Sequence, residues 1–305
     1  MTELYNNNNM KIEAFGIATK SSCNEILSVY FSYIKFGDKQ TSKTLPSLNN
    51  GYEKVVCSLA DLQKPIKDIQ DAYLRLHLLS YKFVLPNSIN LDGLFKILPN
   101  IIWTNQGAML ENEIERKMKE SHEGGSHFFI RSIDKFPVLT DYIIPKGVRI
   151  ADSTRVRLGA YLSEGTTIMH EGFVNFNAGT LGPCMIEGRV SAGVVIGANS
   201  DLGGGSSTMG TLSGGNNIKI SVGKNSLLGA NSGLGIPLGN NCIIEAGLYI
   251  TAGTKVTLNN KKIVKASTLS NIDNLLFIRN SVNGNVEVKE NLKVVSLNSE
   301  LHKNK

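Results

Sequence analysis

From Ile144 onward an aliphatic residue returns at every sixth position: Ile144, Ile150, Val156, Leu162, Ile168, Val174 and, after Thr180, Ile186. A second column, two places before each next member, is small or β-branched: Val148, Thr154, Ala160, Thr166, Gly172, Ala178, Cys184 and Val190. The positions between are mostly Gly, Asp, Asn, Ser, Lys and Arg. A helix repeats near 3.6 residues and a strand at 2, so neither produces a period of six. Short strands joined by tight corners do, three hexads closing one triangular coil with the large aliphatic side chains inside.

The register slips by four after Ile186 and resumes at Val190, Ile196 and Leu202. It breaks over 208–217 (TMGTLSGGNN) and returns at Val222, Leu228 and Leu234; a second four-residue slip leads to Leu238, Ile244, Ile250 and Val256. This pattern predicts a mainly β protein built on a left-handed parallel β-helix of the hexapeptide-repeat kind over 144–258. Its coils should stack at the inter-strand spacing of ~4.8 Å. Both ends of such a solenoid carry unpaired backbone groups, and the flanking segments are expected to cover them.

Residues 1–110 leave the rhythm and read as an α/β domain. Strands are expected over Ile12–Thr19 and Glu25–Ile34 about a polar turn at Lys20–Asn24, and helices over Leu59–Phe83 and Leu91–Leu98, with Pro65 tolerable only near a helix start. Segment 111–143 reads as a connector, helix then Gly-rich loop. Segment 259–305 reads as a small β cap: strands over Ile263–Ala266, Leu275–Asn280 and Val286–Val288, a hairpin turn at Asn283-Gly284, and a fraying strand from Asn291.

Composition narrows the function classes. The chain has 305 residues, 41% of them hydrophobic, enough for a sizeable core without staples. Its four cysteines are far apart and form no CxxC pair, which argues against a disulfide framework or zinc knuckle and for the reducing cytoplasm. No run of 18 apolar residues suggests a membrane span, and Met1–Met10 lacks the apolar centre of a signal peptide. The net charge of +6 suits anionic ligands; no nucleic-acid motif accompanies it.

Inward positions of a prism are occupied by packing, so chemistry belongs to corners and outer faces. Glu187 follows an inward position by one residue and so points off a face, beside Gly188 and Arg189. It could serve as nucleophile or general base, and Arg189 could clamp a carboxylate. Spacing alone leaves a solvated Glu and a surface ion pair equally open. His170 has the acidity of a base at neutral pH and is the only histidine on the prism, too few for a three-histidine metal site. Glu171 copies gathered on a symmetry axis would need a cation or proton. Gly203–Gly205 allow close backbone approach to a ligand or simply shape a corner. Lys255, Lys261, Lys262, Lys265 and Arg279 gather positive charge near the end of the prism. Cys184 and Cys242 read as packing.

Four segments go further: MHEGFVNFNAGTLGPCMIEGRVSAGVVIG, GGGSSTMGTLSGG, LLGANSGLGIPLG and IIEAGLYITAGTKV. In this order they resemble the tetrahydrodipicolinate N-succinyltransferase family, in its longer form with a large N-terminal domain. The resemblance extends from about Asp134 to Gly284 and includes LPNIIWTNQG and LLFIRNSVNG. It implies a cytoplasmic homotrimer that transfers succinyl from succinyl-CoA to the amino group of a ring-opened dicarboxylate, in the diaminopimelate route to lysine. No tightly bound cofactor is implied beyond magnesium at the trimer axis. By the same resemblance Glu187 is the catalytic glutamate. Arg189, Gly204, Ser207, Ala230, Glu245, Ala246 and Gly253 would bind succinyl-CoA, with Lys265, Ile278, Arg279, Asn280 and Ser281 matching more loosely. Glu171 matches a magnesium ligand whose partner in the family is an Asp; here that place is taken by Thr154, with Asp152 out of register. The alternative is another acyl-CoA-dependent N- or O-acyltransferase of the repeat class with His170 as base.

Overall fold

The computed structural model describes residues 12–41, 53–59, 61–212, 218–259, 261–293 and 297. They form two compact units, Met1–Pro137 and Val138–Lys305.

The second unit is a three-faced prism. Its first face stacks Arg149–Ile150, Thr166–Ile168, Cys184–Ile186, Ser200–Leu202, Leu227–Leu228, Ile243–Ile244 and Leu275–Arg279 in parallel. The second stacks Phe173–Val174, Arg189–Val190, Ser207–Thr208, Gly233–Gly235 and Tyr249–Thr251. The third stacks Tyr161–Leu162, Gly179–Thr180, Val195–Ile196 and Ser221–Val222. On the first face Ile150, Ile168, Ile186, Leu202, Leu228, Ile244 and Phe277 stand one above another. From Val156 to Val256 every aliphatic member of the six-residue series is at most 2% exposed. Several hydroxyls that enter the core are satisfied, Thr166 and Thr180 sharing a hydrogen bond of 2.7 Å and Thr208 donating to the Arg189 carbonyl at 2.9 Å, whereas the buried Ser206 and Ser232 hydroxyls have no partner among the described residues.

Ile144, the first member of the series, is 89% exposed. The prism begins one hexad later, at Arg149–Ile150. Upstream the chain makes a 3-10 turn at Leu139–Asp141, Val138 pairs antiparallel with Arg157, and Leu139 N–H donates to the Val156 carbonyl. That antiparallel crossing, with no coil below it to accept Ile144, leaves the side chain in solvent.

Asparagines serve the corners. Asn177, Asn199, Asn225, Asn231 and Asn241 have φ between 53° and 62°, a region that Asn tolerates because its short amide bonds locally. Their side chains also stack, Asn225 donating to Asn241 at 3.2 Å and Asn241 to Asn274 at 3.1 Å. At the C-terminal end Leu275–Arg279 extends the first face, and Val286–Glu290 returns antiparallel to it through a turn containing Gly284 at φ 77°. Val286–Glu290 also pairs with Lys255–Leu258, itself paired with Ile263–Lys265. Residues 259–293 are thus continuous with the first sheet. The strand expected from Asn291 lies largely outside the described residues.

The first unit holds an antiparallel sheet of Ile12–Lys20, Ile26–Phe36, Lys39–Gln40 and Glu53–Leu59, covered by helix Ile69–Ser80. The helix expected from Leu59 starts ten residues later. Leu59 closes a strand, and Pro65 disfavours helix at the residue before it. Asp68 caps the start by accepting from the Asp71 N–H at 2.8 Å. The helix expected over Leu91–Leu98 shrinks to Leu94–Ile97, entered from Gly93 at φ 90°. In the chain, helix Glu111–Glu123 follows the paired strands Ile101–Thr104 and Gly107–Met109 and precedes Ile130–Asp134, which pairs with Ile101–Thr104. The compact units divide at Pro137, so 111–137 falls in the first. Among the described residues no helix is long and apolar enough to cross a membrane.

Helix Ile69–Ser80 is buried on nearly every side. Arg75, 1% exposed, pairs with Asp71 at 2.7 Å and donates to the carbonyls of Leu62, Lys64 and Asn90, the full satisfaction that a buried pair requires. His77 is wholly buried. Its Nδ1–H donates to the Tyr73 carbonyl, and its Nε2 accepts from the Phe31 N–H at 3.3 Å, so the ring must be neutral. Burial pushes its pKa down from 6.5 to about 4. The unfolded chain then binds a proton that the fold refuses, and stability falls as pH drops from about 6.5 towards 4. The loss should approach about 3 kcal/mol. Urea unfolding followed by Trp103 fluorescence should show this slope, and His77→Gln should flatten it. In the prism, Ile196→Ala should cost about 2–5 kcal/mol, read as a lowered denaturation midpoint.

Candidate active site at a shortened corner

Between the first and second faces the coils turn through four residues: 169–172, 203–206, 229–232 and 245–248. One coil does so in two. Glu187 and Gly188 alone join Cys184–Ile186 to Arg189–Val190, and this is the first four-residue slip of the repeat. The corner stays in the ladder: Glu187 N–H donates to Leu202 O and Arg189 N–H to Ser206 O. The coils on either side therefore reach further out, and Glu187 sits half-buried in a notch. Gly188 is required there, because a Cβ would run into Ser206.

The three glycines of 203–205 have different duties. A Cβ on Gly203 would stand 2.8 Å from Ala230 N, and Gly205 has φ 69° with Asn231 in the path of a side chain; both shape the corner. Gly204 alone opens outward. A Cβ there would lie 3.5 Å from Glu187 Oε2 and 3.7 Å from Glu171 Oε2, so those oxygens are at most 7.2 Å apart. Two carboxylates thus border the space that Gly204 leaves empty. Beside them Arg189 donates through Nε and Nη2 to Ser207 Oγ, at 3.0 and 2.6 Å. Nε and Nη2 are thus engaged with Ser207, and the Arg189 side chain is otherwise exposed.

The remaining expected residues divide into two groups. Backbone hydrogen bonds from Gly205 to Glu187, Asn231 to Gly204 and Gly247 to Ala230 link successive corners, so Glu187, Gly204, Ala230, Glu245 and Ala246 line one edge of the prism. The edge continues into Ile278–Ser281, because Glu245 N–H donates to Phe277 O and Glu245 Oε2 accepts from Arg279 N–H at 2.7 Å. Asn280 is held by Glu287 at 2.7 Å, and Ser281 is exposed. Gly253 and Lys265 do not join this edge. Gly253 lies past the second face, and Lys265 is paired across strands with Lys255; Lys255, Lys261, Lys262 and Lys265 are all exposed. An arm separates the faces on the same coil: Thr211 pairs with Lys219 and Leu212 N–H donates to Ile218 O. Residues 213–217 of this arm lie outside the described residues.

His170 is exposed at the Glu171 corner. Glu171 is also exposed, and Arg155, which spacing did not single out, donates to the carbonyls of Glu171 and Gly172. Thr154 donates its hydroxyl to Asp152 at 2.6 Å; that bond, with Arg155 and His170 nearby, holds the Asp152 carboxyl below the usual range. Among the described residues no three His, Cys, Asp or Glu side chains gather as a metal site. One chain offers Glu171 where a cation would need more donors, so no step is assigned to a metal. Cys184 and Cys242 are buried, and burial pushes the Cys184 thiol up to about 12, as packing residues should behave.

A family model described as "Hexapeptide repeat of succinyl-transferase" matches residues 219–252. The chain is 53% identical over 279 residues to the 2,3,4,5-tetrahydropyridine-2,6-dicarboxylate N-succinyltransferase of Pseudomonas aeruginosa, covering 86% of this chain and 81% of the relative. It is 53% identical to the enzyme of that name from Vibrio cholerae, covering 82% and 74%. A crystal structure described as a 2,3,4,5-tetrahydropyridine-2-carboxylate N-succinyltransferase from Campylobacter jejuni superposes with a TM-score of 0.83 at 29% identity, over 97% of this chain and 96% of that one.

The contrast between neighbouring glycines is testable. Gly205→Ala should destabilise the prism by about 1–2 kcal/mol through its left-handed φ, whereas Gly204→Ala should change stability by less than about 0.5 kcal/mol. Thermal unfolding of both variants checks this.

Proposed function

The chain belongs to the 2,3,4,5-tetrahydropyridine-2,6-dicarboxylate N-succinyltransferase family, and on that premise we propose that the shortened corner is where its acyl transfer takes place. The enzyme is an acyltransferase. It moves succinyl from succinyl-CoA to the amino group of ring-opened tetrahydrodipicolinate, a step of lysine and diaminopimelate synthesis. The observation that supports the corner as its seat is the notch itself: one carboxylate recessed by two missing residues, with Gly204 leaving room in front of it and Arg189 held beside it.

In this reading the Glu187 carboxylate attacks the thioester carbon. The C–S bond breaks, CoA leaves as its thiolate, which takes up the proton that the amine later gives up, and a mixed anhydride joins succinyl to Glu187. The acceptor amine then attacks the succinyl carbonyl, loses its proton, and frees the carboxylate as the amide forms. Arg189 binds the terminal carboxylate of the succinyl chain. Backbone N–H donors facing the developing oxyanion would contribute about 3–4 kcal/mol each. The edge from Ala230 and Glu245 to Ile278–Ser281 carries the pantetheine arm, and the exposed lysines near Gly253 receive the phosphates.

We further propose a homotrimer, which would gather three Glu171 side chains and could hold magnesium there. A cytoplasmic setting accords with the unpaired state of Cys23, Cys57, Cys184 and Cys242.

Thiol release measured with succinyl-CoA or acetyl-CoA, each with and without the cyclic dicarboxylate, should require succinyl-CoA plus acceptor for sustained turnover. Glu187→Gln should lower turnover by orders of magnitude with unfolding unchanged, while His170→Asn should be nearly silent; the reverse pattern favours a histidine base. Labelled CoA should exchange into succinyl-CoA without acceptor if the anhydride forms, and a purely general-base glutamate allows no such exchange.

A further inference from the structure

The second face carries one strand unlike its neighbours. In Gly233–Leu234–Gly235 the middle residue enters the core and both outward positions are glycine. Elsewhere on that face outward positions hold side chains: Phe173, Arg189, Ser207 and Tyr249 stand in the column that passes through Gly233. The two glycines therefore cut a trough across the outside of the prism.

Side chains from both sides fill the trough. The Tyr249 ring leans down from the next coil, its Cδ2 and Cε2 where a Gly233 Cβ would be. The Met209 thioether comes from the coil below, its Sδ 2.7 Å from where a Gly235 Cβ would stand. Any other residue at Gly233 would displace the ring. Tyr249 nevertheless remains 45% exposed, so one side rests on backbone and the other faces outward. Gly233 is hydrogen-bonded in register beside Ser207, the residue that holds Arg189. An apolar wall thus stands one strand spacing, ~4.8 Å, from the seat of a carboxylate clamp.

We infer that the Tyr249 ring, seated on Gly233, is a specificity-determining wall that limits the length of the acyl chain whose carboxylate Arg189 holds. This rests on the succinyl-transfer reading and names what selects the donor within it. A charged clamp fixes where the far end of the acyl group must sit, and Glu187 fixes the reacting end. A rigid ring beside the clamp then leaves no room for a longer chain to bow outward. The geometry calls for the ring and not its hydroxyl, since the contacts with Gly233 are made by ring carbons.

The test compares kcat/KM for succinyl-CoA and glutaryl-CoA, one methylene longer, in the wild type and in Tyr249→Ala, Tyr249→Leu and Tyr249→Phe, with thermal unfolding measured alongside. One methylene in an apolar pocket is worth about tenfold or more in discrimination. Tyr249→Ala should raise the glutaryl-to-succinyl ratio at least about tenfold, and Tyr249→Leu, which keeps an apolar cover on Gly233 should the Ala variant not fold, about threefold. Tyr249→Phe should stay within about twofold of wild type. A ratio unmoved in a folded Ala or Leu variant overturns the wall. A Phe variant shifted as far as the Ala variant overturns it too, because the hydroxyl would then be the determinant. A wild type that transfers succinyl but fails these comparisons refutes the wall alone; a wild type that transfers no succinyl removes the underlying activity and the wall with it.

Discussion

Register in the parallel ladder governs everything else in the prism. From Arg149–Ile150 to Tyr249–Thr251 each strand is only two or three residues long, and none could hold its place by itself. It is fixed because its one inward side chain must land on the one below: Ile168 on Ile150, Ile186 on Ile168, Leu202 on Ile186. A slip of one residue would turn a buried aliphatic outward and a polar neighbour inward. The core thus acts as a ratchet, and every corner is set to within a residue.

Under that constraint, corner length becomes a device for placing chemistry. The faces cannot move, so removing two residues between Ile186 and Val190 draws the corner inward while its neighbours keep their reach. Glu187 is positioned by what is missing from its coil as much as by what surrounds it. The opposite device operates between Thr208 and Ser221, where extra residues leave the prism as an arm and return to the same register. Shortening and lengthening act on the same part of the chain without disturbing the stack that carries both.

The first unit is held differently. Its helix is buried among groups that need fixed partners: Arg75 with Asp71 and three carbonyls, and His77 between the Tyr73 carbonyl and the Phe31 N–H. Polar groups so enclosed specify one packing and make it sensitive to protons, whereas the prism relies on a column of aliphatic side chains and corner asparagines.

Much of this was legible in the chain itself. A period of six is a direct consequence of three short faces, so the prism, its two shortened corners and its interrupted coil could all be read from spacing, and the four long motifs named the family. The repeat failed only at Ile144, where the periodic residue continues but no coil lies beneath it. Helix starts in the first unit were less readable, because Pro65 and Asp68 acted through local geometry that hydrophobic spacing does not record. Spacing also could not divide Gly203, Gly204 and Gly205 among their duties, separate Gly253 and Lys265 from the Glu187 edge, or show Tyr249 lying on Gly233. Those are relations between coils, across residues distant in the chain, and they exist only once stacking brings one corner above another. Sequence alone determined how often the chain turns; the tertiary stack decided what each turn faces, because a side chain's neighbours in a solenoid are set by the coil above and below.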